Sequence, residues 1–127
     1  LAPILRAEGL PTVLVAAIPP RGRTPAAVDF ARGGVNAGDR EIGALFDQAL
    51  VRFGVFGHVY EAGPSAARRE GAAVREGEWA PDLLVNPGAI EAVPYLHPDG
   101  TSSVGAAAVV EIERGRARYF AFRVVRP

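Results

Sequence analysis

Three short apolar runs in this chain stop at residues that cannot carry a sheet any further. Val13-Leu14-Val15 and Ile18 run into Pro19-Pro20, Val55-Phe56 into Gly57-His58, and Leu83-Leu84-Val85 into Asn86-Pro87-Gly88. Proline has no amide hydrogen for a strand ladder, so the first and third stops read as strand ends followed by turns, and Gly57 reads as the start of a loop after the second. Between the first two runs, Ile42, Leu45, Phe46, Ala49, Leu50 and Phe53 recur at helical intervals and form one apolar stripe, with Asp39 placed to cap it and Gly54 to end it. Strand, helix and strand in this order predict an α/β fold with His58 at a strand's carboxyl end, the edge at which open sheets build sites.

The rest of the chain is read around that frame as a single domain over residues 1–127. Residues 10–18 are expected as a buried strand and 2–8 as the tail of a helix. Thr24-Pro25 offers a cap followed by proline at a first helical position, and Gly33-Gly34 a stop, so a short helix is expected over 25–32. Residues 61–82 turn polar, with Val74 and Trp79 as the sizeable apolar groups, and are expected to form a long loop, an insertion or a mobile flap. A second connection is expected over 94–105, around the turn signature Pro98-Asp99-Gly100. Residues 106–113 and 116–125 then predict a hairpin about Arg114-Gly115, with Phe120, Phe122 and Val124 sharing a face that meets Ala108, Val110 and Ile112.

Composition excludes several classes. Hydrophobic residues make up 49% and charged residues 22%, as in a globular protein rather than a disordered one. With 14 basic and 14 acidic residues the formal charge is +0, which gives no field for nucleic acid or an anionic membrane. No apolar run is long enough to span a bilayer. Cysteine is absent, so disulfides and thiolate metal sites are out, and the compartment, cytoplasmic or exported, stays open. The basic residues are all Arg, and Ala, Gly and Pro abound, a bias of GC-rich coding sequence that we read as bacterial. Leu1 opens the chain with neither an initiator Met nor a signal-like leader, so a processed or truncated product is expected.

The strand-end motifs, taken together, carry a resemblance. Ala16-Ala17-Ile18-Pro19-Pro20, Gly57-His58-Val59-Tyr60-Glu61, Leu83-Leu84-Val85-Asn86-Pro87-Gly88 and the terminal hairpin follow one another in the order and spacing of the carboxy-terminal half of calcineurin-like metallophosphoesterases, which this chain resembles along most of its length. That family has a His before a Pro-Pro-like pair, then Gly-His-x-His, then Asn-Pro-Gly before a hairpin. The resemblance implies half of a β-sandwich flanked by helices (α-β-β-α), with a mixed sheet and a carboxy-terminal hairpin. A missing amino-terminal segment or a protein partner would then cover the exposed sheet.

The departures from the family bear on chemistry. A two-metal phosphoesterase holds its ions ~3.5–4 Å apart in a ring of His, Asp and Asn ligands. His58 stands where the family has a ligand, while Ala17 and Tyr60 stand where two further histidines would be. A methyl group has no lone pair to give, and a phenol with a pKa near ~10 is a poor ligand at neutral pH. The amino-terminal motifs Asp-x-His, Gly-Asp-x-x-Asp and Gly-Asn-His are absent. His58 and Tyr60 thus read as residues of a residual metal or phosphate site, and Ala17 and Tyr60 as positions of lost ligands. Asn86-Pro87-Gly88 reads as a structural turn in which Pro fixes φ and Gly permits a positive one. The chain itself is expected to hold no cofactor; a Mn, Fe or Zn pair is implied only with an amino-terminal half.

Other candidates reduce to structure on the same reasoning. His97 with Asp99 could pair as imidazole and carboxylate, but the segment is also a plain turn. Ser102 and Ser103 lack a Gly-x-Ser-x-Gly elbow. The glycine-rich stretch 33–38 precedes a helix and could cradle an anion, yet lacks the Lys-Ser/Thr ending of a nucleotide loop. Arg68, Arg69 and Arg75 stand among Glu70, Glu76 and Glu78, the pattern of a self-paired solvated surface. Three functions follow as expectations: a degenerate phosphoesterase-like scaffold or interaction subunit, the carboxy-terminal fragment of an active metal-dependent phosphoesterase, or a small α/β ligand-binding module.

Overall fold

The elements of the structure, a computed structural model, are described for residues 9–125. In chain order they are β1 (Val13–Ala16), β2 (Phe30–Ala31), β3 (Val35–Asn36), α1 (Arg40–Asp47), β4 (Phe53–Phe56), a 3₁₀ turn (Tyr60–Ala62), β5 (Ser65–Ala67), β6 (Leu83–Asn86), β7 (Ile90–Leu96), β8 (Ser102–Glu113) and β9 (Arg116–Val124). The expected α/β content is present as mostly strand with one helix among the described residues. A four-stranded mixed sheet runs β1-β4-β6-β5, with β1, β4 and β6 parallel and β5 antiparallel. A three-stranded antiparallel sheet, β7-β8-β9, contains the carboxy-terminal hairpin. The helix expected over 2–8 lies outside the described residues.

The mixed sheet carries a core on each face. Val28, Phe46, Val51, Phe56, Ala67 and Leu84 pack with the apolar side of α1 on one face. Phe53, Ala66, Leu83 and Val85 pack against Ala117 and Tyr119 of the hairpin on the other. Gly54 faces the helix-side core for a steric reason: a Cβ there would sit 2.4 Å from the Phe56 ring and 3.0 Å from that of Phe46, which meet edge to face. The helix is capped as expected, with Asp39 Oδ1 accepting from the Ile42 amide at 2.8 Å. It ends earlier than the apolar stripe suggested. Ala49 turns left-handed at φ 54°, its amide donates to Phe46 and that of Leu50 to Leu45, a Schellman closure. Leu50 and Val51 still reach the core, and Phe53 belongs to β4.

Several local expectations are corrected. Residues 10–18 do not make a buried strand: β1 spans Val13–Ala16 at the sheet edge, with Leu14 and Ala16 turned to the helix-side core and Val15 75% exposed. The second sheet packs over β4, β6 and β5 and leaves that corner open. No helix forms over 25–32; Thr24 donates its hydroxyl to the Gly71 carbonyl at 2.7 Å, and Phe30-Ala31 pairs with Val35-Asn36 instead. The stretch 61–82, expected as a polar loop or insertion, contains β5 and buries Ala62, Val74 and Ala80. Small alanines allow this close packing, and Ala80 and Ala117 exchange both backbone hydrogen bonds across the gap between the sheets. The connection expected over 94–105 shrinks to the turn after Leu96, because β7 extends through Pro94 with a register shift between Ile90 and Tyr95.

The hairpin forms about Arg114-Gly115, at φ 49° and 74°, the positive pair of a tight two-residue turn. That turn pairs Glu113 with Arg116 and carries Ile112, Val110 and Ala108 opposite Ala117, Tyr119 and Ala121 on the core face. Phe122 and Val124, expected on that face, lie opposite Ala107 and Gly105 and are exposed. A shift of one residue in the reading exchanges the two faces.

Candidate functional site at the strand ends

The parallel register gathers the three motifs at one edge. Ala16 lies opposite Phe56, so Ala17 and Gly57 leave their strands side by side, with the Gly57 amide donating to the Ala16 carbonyl at 3.4 Å. Val55 lies opposite Val85, which brings Asn86-Pro87-Gly88 out beside the same segment. His58 is exposed, in a left-handed conformation at φ 61°, and its imidazole makes no hydrogen bond among the described residues. Tyr60, 40% exposed, stands at the head of the 3₁₀ turn with its ring edge-on to Tyr95 at 5.5 Å.

Asn86 is buried, and its amide is fully engaged. Nδ2 donates to the Val28 carbonyl at 3.0 Å and the Val59 carbonyl at 2.7 Å, and Oδ1 accepts from Gly88 N at 3.0 Å. Gly88 takes φ 82°, and a Cβ there would meet the Tyr95 hydroxyl at 2.7 Å. The tyrosine hydroxyl both donates to the Ala89 carbonyl and accepts from its amide, at 2.9 Å each. The edge is therefore fastened by the Asn86 amide and the Tyr95 hydroxyl.

A metal pair of the kind the resemblance implies does not fit these residues. Ala17 offers a methyl, Tyr60 a phenol packed against another ring, and Asn86 an oxygen already held by Gly88, which leaves one free imidazole. One imidazole cannot bridge or hold two cations.

Sequence reasoning missed one buried polar centre, Asp29, and in a second named His97 and Ser103 without pairing them. The Asp29 carboxylate, wholly buried, accepts from Gly22 N and Gly38 N at 2.9 Å each and from Asn36 Nδ2 at 2.8 Å. The glycine-rich stretch 33–38 thus turns an amide onto an anion, but the anion is the protein's own side chain. An aspartate set in the apolar run Ala26-Ala27-Val28-Asp29-Phe30 was the available signal. The second centre is His97, 2% exposed, whose Nε2 lies 2.7 Å from Ser103 Oγ. Ser103 donates its proton to the Gly105 carbonyl at 2.7 Å, so Nε2 carries the hydrogen in that bond and the imidazole is not a base toward this serine.

The remaining candidates are accounted for by the fold. Asp99 does not bond His97; it accepts from the Thr101 amide and hydroxyl, and Arg123 Nη2 reaches it at 2.7 Å. The Thr101 bonds, with Arg123 and His97 adding to them, hold its carboxyl below the usual carboxylate range. Two of the three arginines are paired with acids: Arg68 with Asp82 at 2.7 Å and with the expected Glu70 at 3.5 Å, and Arg69 in a fork onto Asp47 at 2.8 and 3.0 Å, while Glu78 accepts from the Arg75 backbone amide at 3.2 Å. Comparison of the chain with protein-family models, curated proteins and solved structures found no match.

Proposed function

We propose that this chain is a degenerate metallophosphoesterase-like domain, retained as a scaffold or interaction subunit and not catalytic by itself. The observation that carries this reading is the adjacency of Ala17 and Gly57-His58 at the ends of β1 and β4, beside Asn86-Pro87-Gly88. Ala17 and Tyr60 stand where the resemblance would put two ligands, and they offer a methyl and a phenol whose ring meets Tyr95 edge to face. The test is metal analysis after dialysis against manganese, iron and zinc salts, combined with assays on chromogenic phosphomonoesters and phosphodiesters. Neither stoichiometric metal nor turnover is expected; bound metal and hydrolysis that both disappear in His58→Ala would overturn the proposal.

A second reading, the carboxy-terminal fragment of an active phosphoesterase, is favoured by β1. Among the described residues this strand is paired on one side only, and Leu10, Val13, Val15 and Ile18 beside it expose apolar surface that a further strand or partner would cover. Extending the polypeptide upstream of Leu1 and measuring manganese-dependent diesterase activity separates the two readings: activity supports the fragment, and an inactive, metal-free extended protein supports the scaffold.

A further inference from the structure

A cleft of about 640 Å³ opens where the sheets diverge, away from His58, between the segment around Ala27 and Phe30, the Pro64–Ala66 stretch and Val74, with Tyr119 and Arg123 of β9 also on its wall. That volume falls within the range of small-molecule sites, and the lining combines an apolar body of Ala, Pro, Phe and Val side chains with six charged ones. Tyr119 is 6% exposed, and it lines the cleft with a hydroxyl that bonds no acceptor among the described residues and is not sealed from solvent. Burial, reinforced by Glu76 and Asp99 against the opposing pull of Arg123, pushes the phenol's pKa up, so it stays a donor at neutral pH. Beside it, Arg123 is already committed to Asp99 at 2.7 Å, and its buried Nε has no acceptor. This part of the molecule is short of acceptors and not short of charge. Arg32, Arg75 and Arg123 are matched on the lining by Glu61, Glu76 and Asp99.

We propose that this cleft binds an uncharged small molecule with a flat apolar body and one carbonyl group, whose oxygen accepts the Tyr119 hydroxyl. The balanced lining gives an anion or a cation no advantage to offset its desolvation, whereas a carbonyl satisfies a partly buried donor that has none of its own. The inference does not depend on the phosphoesterase reading, because none of the residues it uses belongs to the strand-end motifs.

Benzamide is the probe, with benzoate and benzylamine as charged counterparts of the same ring, followed by amide chemical-shift titration of the full chain. Saturable shifts at Ala66, Tyr119 and Arg123 with benzamide, and weaker ones with both charged rings, are expected. Tyr119→Phe keeps the ring and removes the donor, and should weaken benzamide about three- to tenfold, the range of one hydrogen bond. Shifts that do not saturate or that scatter away from the cleft would overturn the proposal, as would benzoate binding more tightly than benzamide. If Tyr119→Phe is folded by its spectrum and binds as tightly as the parent, the assignment of the donor is wrong.

Discussion

The Asn86 side chain ties three segments that follow different strands, donating to the Val59 carbonyl at 2.7 Å while its oxygen holds Gly88 N at 3.0 Å. Removing it strands two carbonyls and an amide in a buried place. Asn86→Ala is therefore expected to cost about 2–4 kcal/mol, more than the loss of a single bond, because the abandoned partners keep their desolvation penalty. Urea denaturation monitored by circular dichroism measures it. A cost below about 1 kcal/mol would mean that the strand ends are held by something else.

The hairpin faces give a paired prediction. Tyr119 is buried against Phe53 and Val85, whereas Phe122 on the opposite face is 56% exposed. Tyr119→Ala should cost about 3 kcal/mol or more and Phe122→Ala less than about 1 kcal/mol. Thermal melts of the two variants rank them, and the reverse order would contradict the register.

At Ala49 the helix ends in a left-handed residue that carries a Cβ, at φ 54°. Glycine suits this position, and the conformation is unfavourable for an alanine by about 1 kcal/mol. Ala49→Gly is expected to raise stability by about 0.5–1 kcal/mol, although glycine substitution elsewhere in a helix destabilises. Equal or lower stability in chemical denaturation would count against the Schellman closure.

Acid should weaken the fold through two carboxylates. The hydrogen bond from Arg69 lowers the pKa of Asp47, with the charges of Arg69 and Arg23 adding to it, and the Thr101 bonds lower that of Asp99. A depressed folded-state pKa contributes stability that is present above the unfolded value, near ~4, and is lost as pH falls through the folded value. Both groups are well exposed, so the effect is small and screened by salt. Denaturation midpoints measured from pH 6 down to pH 2 should fall below about pH 4, and the Asp47→Asn variant should show a shallower decline. An unchanged slope in that variant would remove Asp47 from the account.

How much of this was legible beforehand varies by residue. Asp39 and the Arg114-Gly115 turn act through neighbours within a few positions, so chain-local chemistry is enough to place the cap and the hairpin. The turn even implies that Val110 meets Tyr119, since pairing runs outward from Glu113 and Arg116. Which of the two hairpin faces turns inward is not local. Aromatic bulk suggested the face of Phe122, but the face that turns inward is the one whose Ala117 and Tyr119 pack with Phe53, Leu83 and Val85 of the mixed sheet.

Short-range chemistry in the sequence by itself determined the strand stops at Pro19-Pro20, Gly57 and Asn86-Pro87-Gly88, the helix cap and the hairpin, and it put a methyl at Ala17 and a phenol at Tyr60. Tertiary structure alone decided that the parallel order β1-β4-β6 brings those stops to one edge, that 61–82 enters the core, and that Asp29 and His97 are buried. The physical reason is range: capping and turn geometry act over a few residues, whereas burial and the satisfaction of a buried polar group depend on partners many positions away, as Asn86 depends on Val28.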